Sequence, residues 1–123
     1  MKHILVVDPD ASARHATIAL VRSLEPVLAV DGVATLEQVW QAIERLAPEL
    51  LIVDPAPYGA EGELLLHLFR ESVPDARVLV LTATSTARRS IRKLPADVVA
   101  EKRLSPPRLR EIIRAALEGR VTR

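Results

Sequence analysis

The chain contains no cysteine. That removes a disulfide framework, a thiolate metal site and a thiol nucleophile in one step, and it is compatible with a reducing cytosol. Aromatic residues are nearly as scarce, at 2%: Trp40, Tyr58 and Phe69. With so few rings, stacking of single-stranded nucleic acid or of a flavin on an aromatic platform finds no support. No apolar run approaches the roughly 18 residues of a membrane span. The start, Met1-Lys2-His3 and a short apolar run, lacks the length and the cleavage site of a signal peptide. Net charge is also lacking, at +1.

What is present is a globular composition. Of 123 residues, 49% are hydrophobic and 27% charged, which is one domain's worth of chain and too apolar for disorder. A chain of this length buries roughly two thirds of its unfolded surface and needs no covalent staples. The small net charge hides a division. Residues 1–87 hold 6 basic and 12 acidic side chains, a net of −6, and residues 88–123 hold 11 and 4, a net of +7. The two parts face different partners, or each other.

Short apolar runs recur at Ile4–Val7, Val27–Val30, Leu50–Val53, Val78–Leu81 and Val98–Ala100. Each is continuous rather than alternating, as strands covered on both faces are. Helical signals fill the gaps. Thr35-Leu36-Glu37-Gln38 is a capping-box pattern, and Leu36, Val39, Trp40, Ile43 and Leu46 follow it at helical spacing until Pro48. Ser105, Pro106 and Gly119 read as the N-cap, first residue and stop of a last helix with Leu109, Ile112, Ile113, Ala116 and Leu117 on its apolar face. A first helix is expected from Asp10 or Ser12 to Leu24, a third over about 63–70 and a polar fourth around 87–94. Strands alternating with helices predict an α/β domain of three layers, five βα units around a parallel sheet.

In such sheets chemistry collects beyond the carboxyl ends of the strands. The five runs end in Asp8-Pro9-Asp10, Asp31-Gly32, Asp54-Pro55, Thr82-Ala83 and Glu101-Lys102. Neighbouring carboxylates repel and call for a cation. Magnesium suits one or two carboxylates with water and phosphate, and a lysine and a hydroxyl nearby suit a phosphoryl group.

With these residues in place, the chain resembles the receiver domain of bacterial two-component response regulators, from Lys2 to about Leu117. Ile4-Leu5-Val6-Val7-Asp8 is similar to that family's first strand and leading acid, and Leu51-Ile52-Val53-Asp54 to the strand ending in the phosphoacceptor. Gly62 is similar to the glycine opening the third helix, Val80-Leu81-Thr82-Ala83 to the strand with a Thr/Ser-Ala end, and Lys102 to the lysine closing the fifth strand. Asp31-Gly32 matches the turn after the second. The resemblance implies a flavodoxin-like fold with strand order 2-1-3-4-5, a receiver over residues 1–118 and a tail or linker start over 119–123. It implies a cytoplasmic signalling module rather than an enzyme. A sensor histidine kinase or phosphotransfer protein would supply a phosphoryl group to Asp54, and an effector protein would respond. Asp8, Asp54 and the backbone carbonyl of Ala56 would hold Mg2+. Lys102 would pair with the phosphoryl group and the Thr82 hydroxyl would swing to it. The surface of the fourth helix, fifth strand and last helix would change in consequence, and could also form a homodimer.

Four departures modify that expectation. Pro9 stands where the second acid of the metal pair belongs, which weakens Mg2+ binding; Asp10 either serves the metal or caps the first helix. Pro55 follows Asp54, and Tyr58 brings a bulky ring to the same loop. Arg103 replaces the proline after the lysine, so a trans peptide is expected there. Val99 occupies the place of the switch aromatic. A pseudo-receiver, binding partners without phosphoryl chemistry, is therefore the alternative function. The basic run Arg88, Arg89, Arg92, Lys93, Arg103, Arg108, Arg110 and Arg114 reads as a solvated face or a partner surface, and direct nucleic-acid binding ranks last. A flavodoxin-type cofactor protein fails at the first loop, where no glycine occurs and acids would repel a phosphate. His3, His15 and His67 share no metal-ligand spacing.

Overall fold

The computed structural model describes residues 2–24, 29–83 and 94–119. Five strands form one sheet: β1 (His3–Val7), β2 (Ala29–Val33), β3 (Leu50–Val53), β4 (Arg77–Thr82) and β5 (Val98–Glu101). All pairings are parallel, and the order is β2-β1-β3-β4-β5, as the resemblance implies. Among the described residues four helices cover it: α1 (Ala11–Leu24), α2 (Leu36–Leu46), α3 (Ala60–Ser72) and the C-terminal helix (Pro106–Glu118). The helix expected over 87–94 lies outside the described residues except for Leu94, and so do Arg88, Arg89, Arg92 and Lys93. No helix is long and apolar enough to cross a membrane among the described residues.

The central strands β1, β3 and β4 are apolar at nearly every position because both faces are covered. Alternate residues divide between two clusters. Ile4, Val6, Leu50, Ile52, Leu79 and Leu81 pack with Val21 of α1 and with Leu109, Ile112 and Ile113. Leu5, Val7, Leu51, Val53, Val78 and Val80 pack with Val39, Leu65, Leu66 and Phe69 of α2 and α3. Trp40 lies partly buried at the margin of the second cluster, as its spacing predicts.

The helix ends follow their local chemistry. Thr35 Oγ1 accepts from the Gln38 N–H at 3.2 Å, and Gln38 Oε1 accepts from the N–H of Thr35 at 3.1 Å, a complete capping box. Ser105 caps the C-terminal helix through the Arg108 N–H, Pro106 opens it, and Gly119 ends it at φ 77°. α3 runs longer than the expected 63–70, with Glu61 and Glu63 stabilising its N-terminal end. Its C-terminal turn ties down the far edge of the sheet. Arg70 donates to the Ala76 carbonyl at 2.9 Å and to Asp97 Oδ2 at 2.7 Å, and that same oxygen accepts from the Val78 N–H at 2.7 Å.

The second strand differs from its expected place. It runs Ala29–Val33, so Asp31 and Gly32 lie inside it, opposite Leu5 and Val6, rather than in a turn after it. β2 is an edge strand, half-buried except for the exposed Gly32, so a charge and a glycine are tolerated there and the apolar run does not mark its end. Gly32 admits α1: a Cβ at this position would lie 2.6 Å from Ile18 Cδ1.

Candidate functional site

Strand pairing alone brings the two leading acids together. β1 and β3 are neighbours with Val7 opposite Val53, so Asp8 and Asp54 leave adjacent strands side by side at the carboxyl edge. Both are buried, each 4% exposed. Thr82 ends β4 next to them and is also buried. The Lys102 N–H donates to the Thr82 carbonyl at 2.7 Å, which sets the start of the lysine beside the hydroxyl residue.

Lys102 closes the site. Its Nζ lies 2.6 Å from Asp8 Oδ2 and 2.6 Å from Asp54 Oδ2. Burial alone would push this ammonium down; the hydrogen bonds and negative charge of Asp54 and Asp8 outweigh that and hold it above its ordinary value. Asp8 Oδ1 accepts from the Asp10 N–H at 2.9 Å, and Asp54 Oδ1 from the Ala56 N–H at 3.3 Å. Every oxygen of the two carboxylates thus has a donor. Thr82 Oγ1 donates to the Ala100 carbonyl at 3.5 Å, a long contact.

The other sequence-named residues take different places. Asp10 is exposed and its Oδ1 accepts from the N–H groups of Ser12 and Ala13, at 2.9 and 3.4 Å, so it caps α1. Pro55 takes helical angles and starts a 3₁₀ turn over Ala56–Tyr58. Within that turn the Ala56 carbonyl, expected as a metal ligand, accepts from the Gly59 N–H at 3.2 Å. Gly62 is the third residue of α3; a Cβ there would stand 2.5 Å from the Pro55 carbonyl oxygen, so its absence lets the helix close under the turn. Arg103 follows a trans peptide, as expected, in a tight turn where the Leu104 N–H donates to the Glu101 carbonyl. Val99 packs against the cluster beneath α2 and α3.

Two residues gain roles that sequence reasoning did not give them. The Tyr58 hydroxyl donates to the Ala34 carbonyl at 2.6 Å, joining the loop after β3 to the loop after β2. Burial, and then the charges of Asp8 and Asp54, push its pKa from 10.0 to about 12, against a lowering influence from Arg14. Arg14, on α1, donates Nη1 to the Asp8 carbonyl at 2.8 Å. The available signal was position: Arg14 lies six residues beyond Asp8, on the helix that Asp10 starts.

The family resemblance implies Mg2+, and the donor set here tests whether these residues suit it. Magnesium demands near-octahedral oxygen ligands and takes one or two carboxylates. Here both carboxylates are filled by Lys102 and backbone N–H groups, Pro9 supplies no side-chain oxygen, Asp10 caps a helix, and the Ala56 carbonyl belongs to a 3₁₀ turn. No group of three or more histidines and acids gathers among the described residues. As arranged, these residues do not fit the ion.

Solved structures carry the same architecture. The chain matches the signal receiver domain of a DNA-binding response regulator from Colwellia psychrerythraea with a TM-score of 0.82 and 17% identity, covering 96% of this chain and 99% of that one. It matches a CheY-like response regulator receiver domain from Methanospirillum hungatei at 0.81 and 23%, covering 97% and 95%. A response regulator from Thermotoga maritima matches at 0.80 and 21%, covering 96% and 98%. No family model and no curated protein matches the sequence. The fold is therefore that of response-regulator receiver domains, with the five-stranded parallel order those proteins share with flavodoxin.

Proposed function

We propose that this chain is a receiver module of two-component phosphorelay signalling, in which Asp54 accepts a phosphoryl group from a sensor histidine kinase or phosphotransfer protein. The observation that carries this reading is Asp54 itself: a buried carboxylate at the end of a central strand, 2.6 Å from Lys102 and beside Asp8 and Thr82. An oxygen of Asp54 attacks the phosphorus, the P–N bond of phosphohistidine breaks, and the imidazole leaves with the electron pair. Lys102 opposes the charge arriving on the phosphoryl oxygens. The Thr82 hydroxyl would exchange its 3.5 Å contact with the Ala100 carbonyl for a bond to the phosphoryl group. That exchange draws on the end of β4 and passes the change to β5, the C-terminal helix and residues 87–94, where an effector or a second copy would read it. Residues 1–118 form the module, 119–123 its tail or a linker, and the setting is the cytoplasm.

A second reading is favoured by the filled oxygens of Asp8 and Asp54 and by Pro9. A pseudo-receiver would hold this network shut and bind its partners without phosphate.

Incubation with acetyl phosphate and MgCl2, followed by intact-mass measurement, separates the two. Gain of one phosphoryl group by the wild type and none by Asp54→Asn is the expected result. A folded protein that gains none identifies the pseudo-receiver.

A further inference from the structure

The site draws its positive charge from the chain itself. Lys102 occupies one oxygen of each carboxylate, at 2.6 Å in both cases. A second cation lies alongside. Arg14 anchors Nη1 on the Asp8 backbone carbonyl at 2.8 Å, and its charge lowers the Tyr58 pKa where those of Asp8 and Asp54 raise it. The remaining N–H groups of Arg14 have no protein partner among the described residues. Lys102 thus bridges the two carboxylates while Arg14 holds the Asp8 backbone, so two acids and two cations share this end of β1 and β3 before any ion arrives.

We propose that Lys102 and Arg14 together take the place of the divalent cation, so that the site takes up a phosphoryl group without a metal ion. The phosphoryl half of this inference rests on the phosphoacceptor reading of Asp54; the metal half rests on the donor set alone. A magnesium ion entering here must first displace Lys102 from two short charge-assisted contacts, and it then finds no third side-chain oxygen at Pro9. A guanidinium, in contrast, is always charged and presents a planar fork of donors that suits phosphoryl oxygens. Arg14 is held by one of its N–H groups, and the others, without a partner among the described residues, suit an anion. With an acyl phosphate as donor, an Asp54 oxygen forms the new bond to phosphorus, the acyl O–P bond breaks, and the departing carboxylate keeps the electron pair. No proton, oxidant or reductant is consumed. Lys102 and Arg14 stand ready where negative charge accumulates.

Calorimetric titration with millimolar MgCl2 tests the metal half. The wild type should show no saturable binding, and Lys102→Ala, which frees Oδ2 of both acids, should gain it. Saturable wild-type binding that vanishes in Asp54→Asn overturns the proposal. Phosphoryl uptake from acetyl phosphate, followed by intact mass in EDTA and in MgCl2, tests the other half. Rates should agree within about twofold, and Arg14→Gln should slow uptake about tenfold, the worth of one hydrogen bond to a charged group. Arg14→Lys, which keeps the charge, should recover part of that loss, as a purely structural role would not. A fall of about tenfold or more in EDTA, or an Arg14→Gln rate equal to wild type, overturns it. Uptake absent under both conditions overturns the phosphoacceptor reading and the phosphoryl half with it, while the calorimetry still decides the metal half.

Discussion

Tyr58 is the residue whose surroundings most alter its chemistry. Its hydroxyl donates to the Ala34 carbonyl while two buried carboxylates lie near, so ionisation would cost a hydrogen bond and add a third negative charge. The folded-state pKa of about 12 exceeds the ordinary 10.0. The folded state therefore keeps this proton longer, and the stability it contributes is complete below pH 10 and lost as pH rises towards 12. Lys102, also raised, acts with the same sign: its ion pairs contribute fully below the ordinary 10.5, and that contribution is lost as pH rises through its folded value. Because the chain has a single tyrosine, absorbance of tyrosinate reads Tyr58 alone. The folded protein should titrate near pH 12 and the protein in denaturant near 10; a folded midpoint near 10 would remove Tyr58 from the site. Asp8, Asp54, Thr82 and Lys102 were legible in the sequence because acids, a hydroxyl and a lysine at successive strand ends are chemically conspicuous. Arg14 was not, since an arginine near a helix start is common and its meaning lies in a backbone carbonyl six residues earlier.

Among the elements, the turn after β3 and the helix that follows depend on one another. Gly62 and Gly32 both allow close approach, yet they differ in what they approach. A Cβ on Gly62 meets the backbone oxygen of Pro55 at 2.5 Å, which cannot move without moving the Asp54 loop; one on Gly32 meets the flexible tip of Ile18 at 2.6 Å. Gly62→Ala should destabilise the protein by about 2 kcal/mol and Gly32→Ala by less than about 1 kcal/mol in urea unfolding. Equal losses would mean that the 3₁₀ turn is not fixed against α3. Helix ends were readable where side chains make them, at Thr35 and Ser105. The 3₁₀ turn was not, because Pro55 and Pro57 mark a bend without saying which carbonyls it engages. The second strand also escaped, since an edge strand's half-buried residues blur the apolar run that marks a central one.

At the scale of the molecule, two apolar clusters share one sheet. Each central strand sends alternate residues to either side, so neither cluster can lose its packing while the other keeps its strands. Trp40 reports the cluster under α2 and α3 alone. Its fluorescence and the far-ultraviolet circular dichroism should therefore follow one urea transition with a single midpoint; separate midpoints would show the layers unfolding apart. The alternation of strands and helices was plain from periodicity, whereas the order of strands came from the family resemblance, because apolar runs carry no record of their neighbours. β5 has a further property. It is an edge strand with one neighbour, β4, and at its start Asp97 is clasped by Arg70 and by the Val78 N–H. Its opposite end is held by the ladder to Thr82, whose carbonyl accepts from the Lys102 N–H at 2.7 Å, and by the ion pairs of Lys102. The strand thus runs between two anchors, a clasp at Asp97 and an ion-pair network at Lys102. Loss of charge at Lys102 removes the ion pairs of one anchor and none of the contacts of the other, so the two ends of the outer strand rest on separate chemistry.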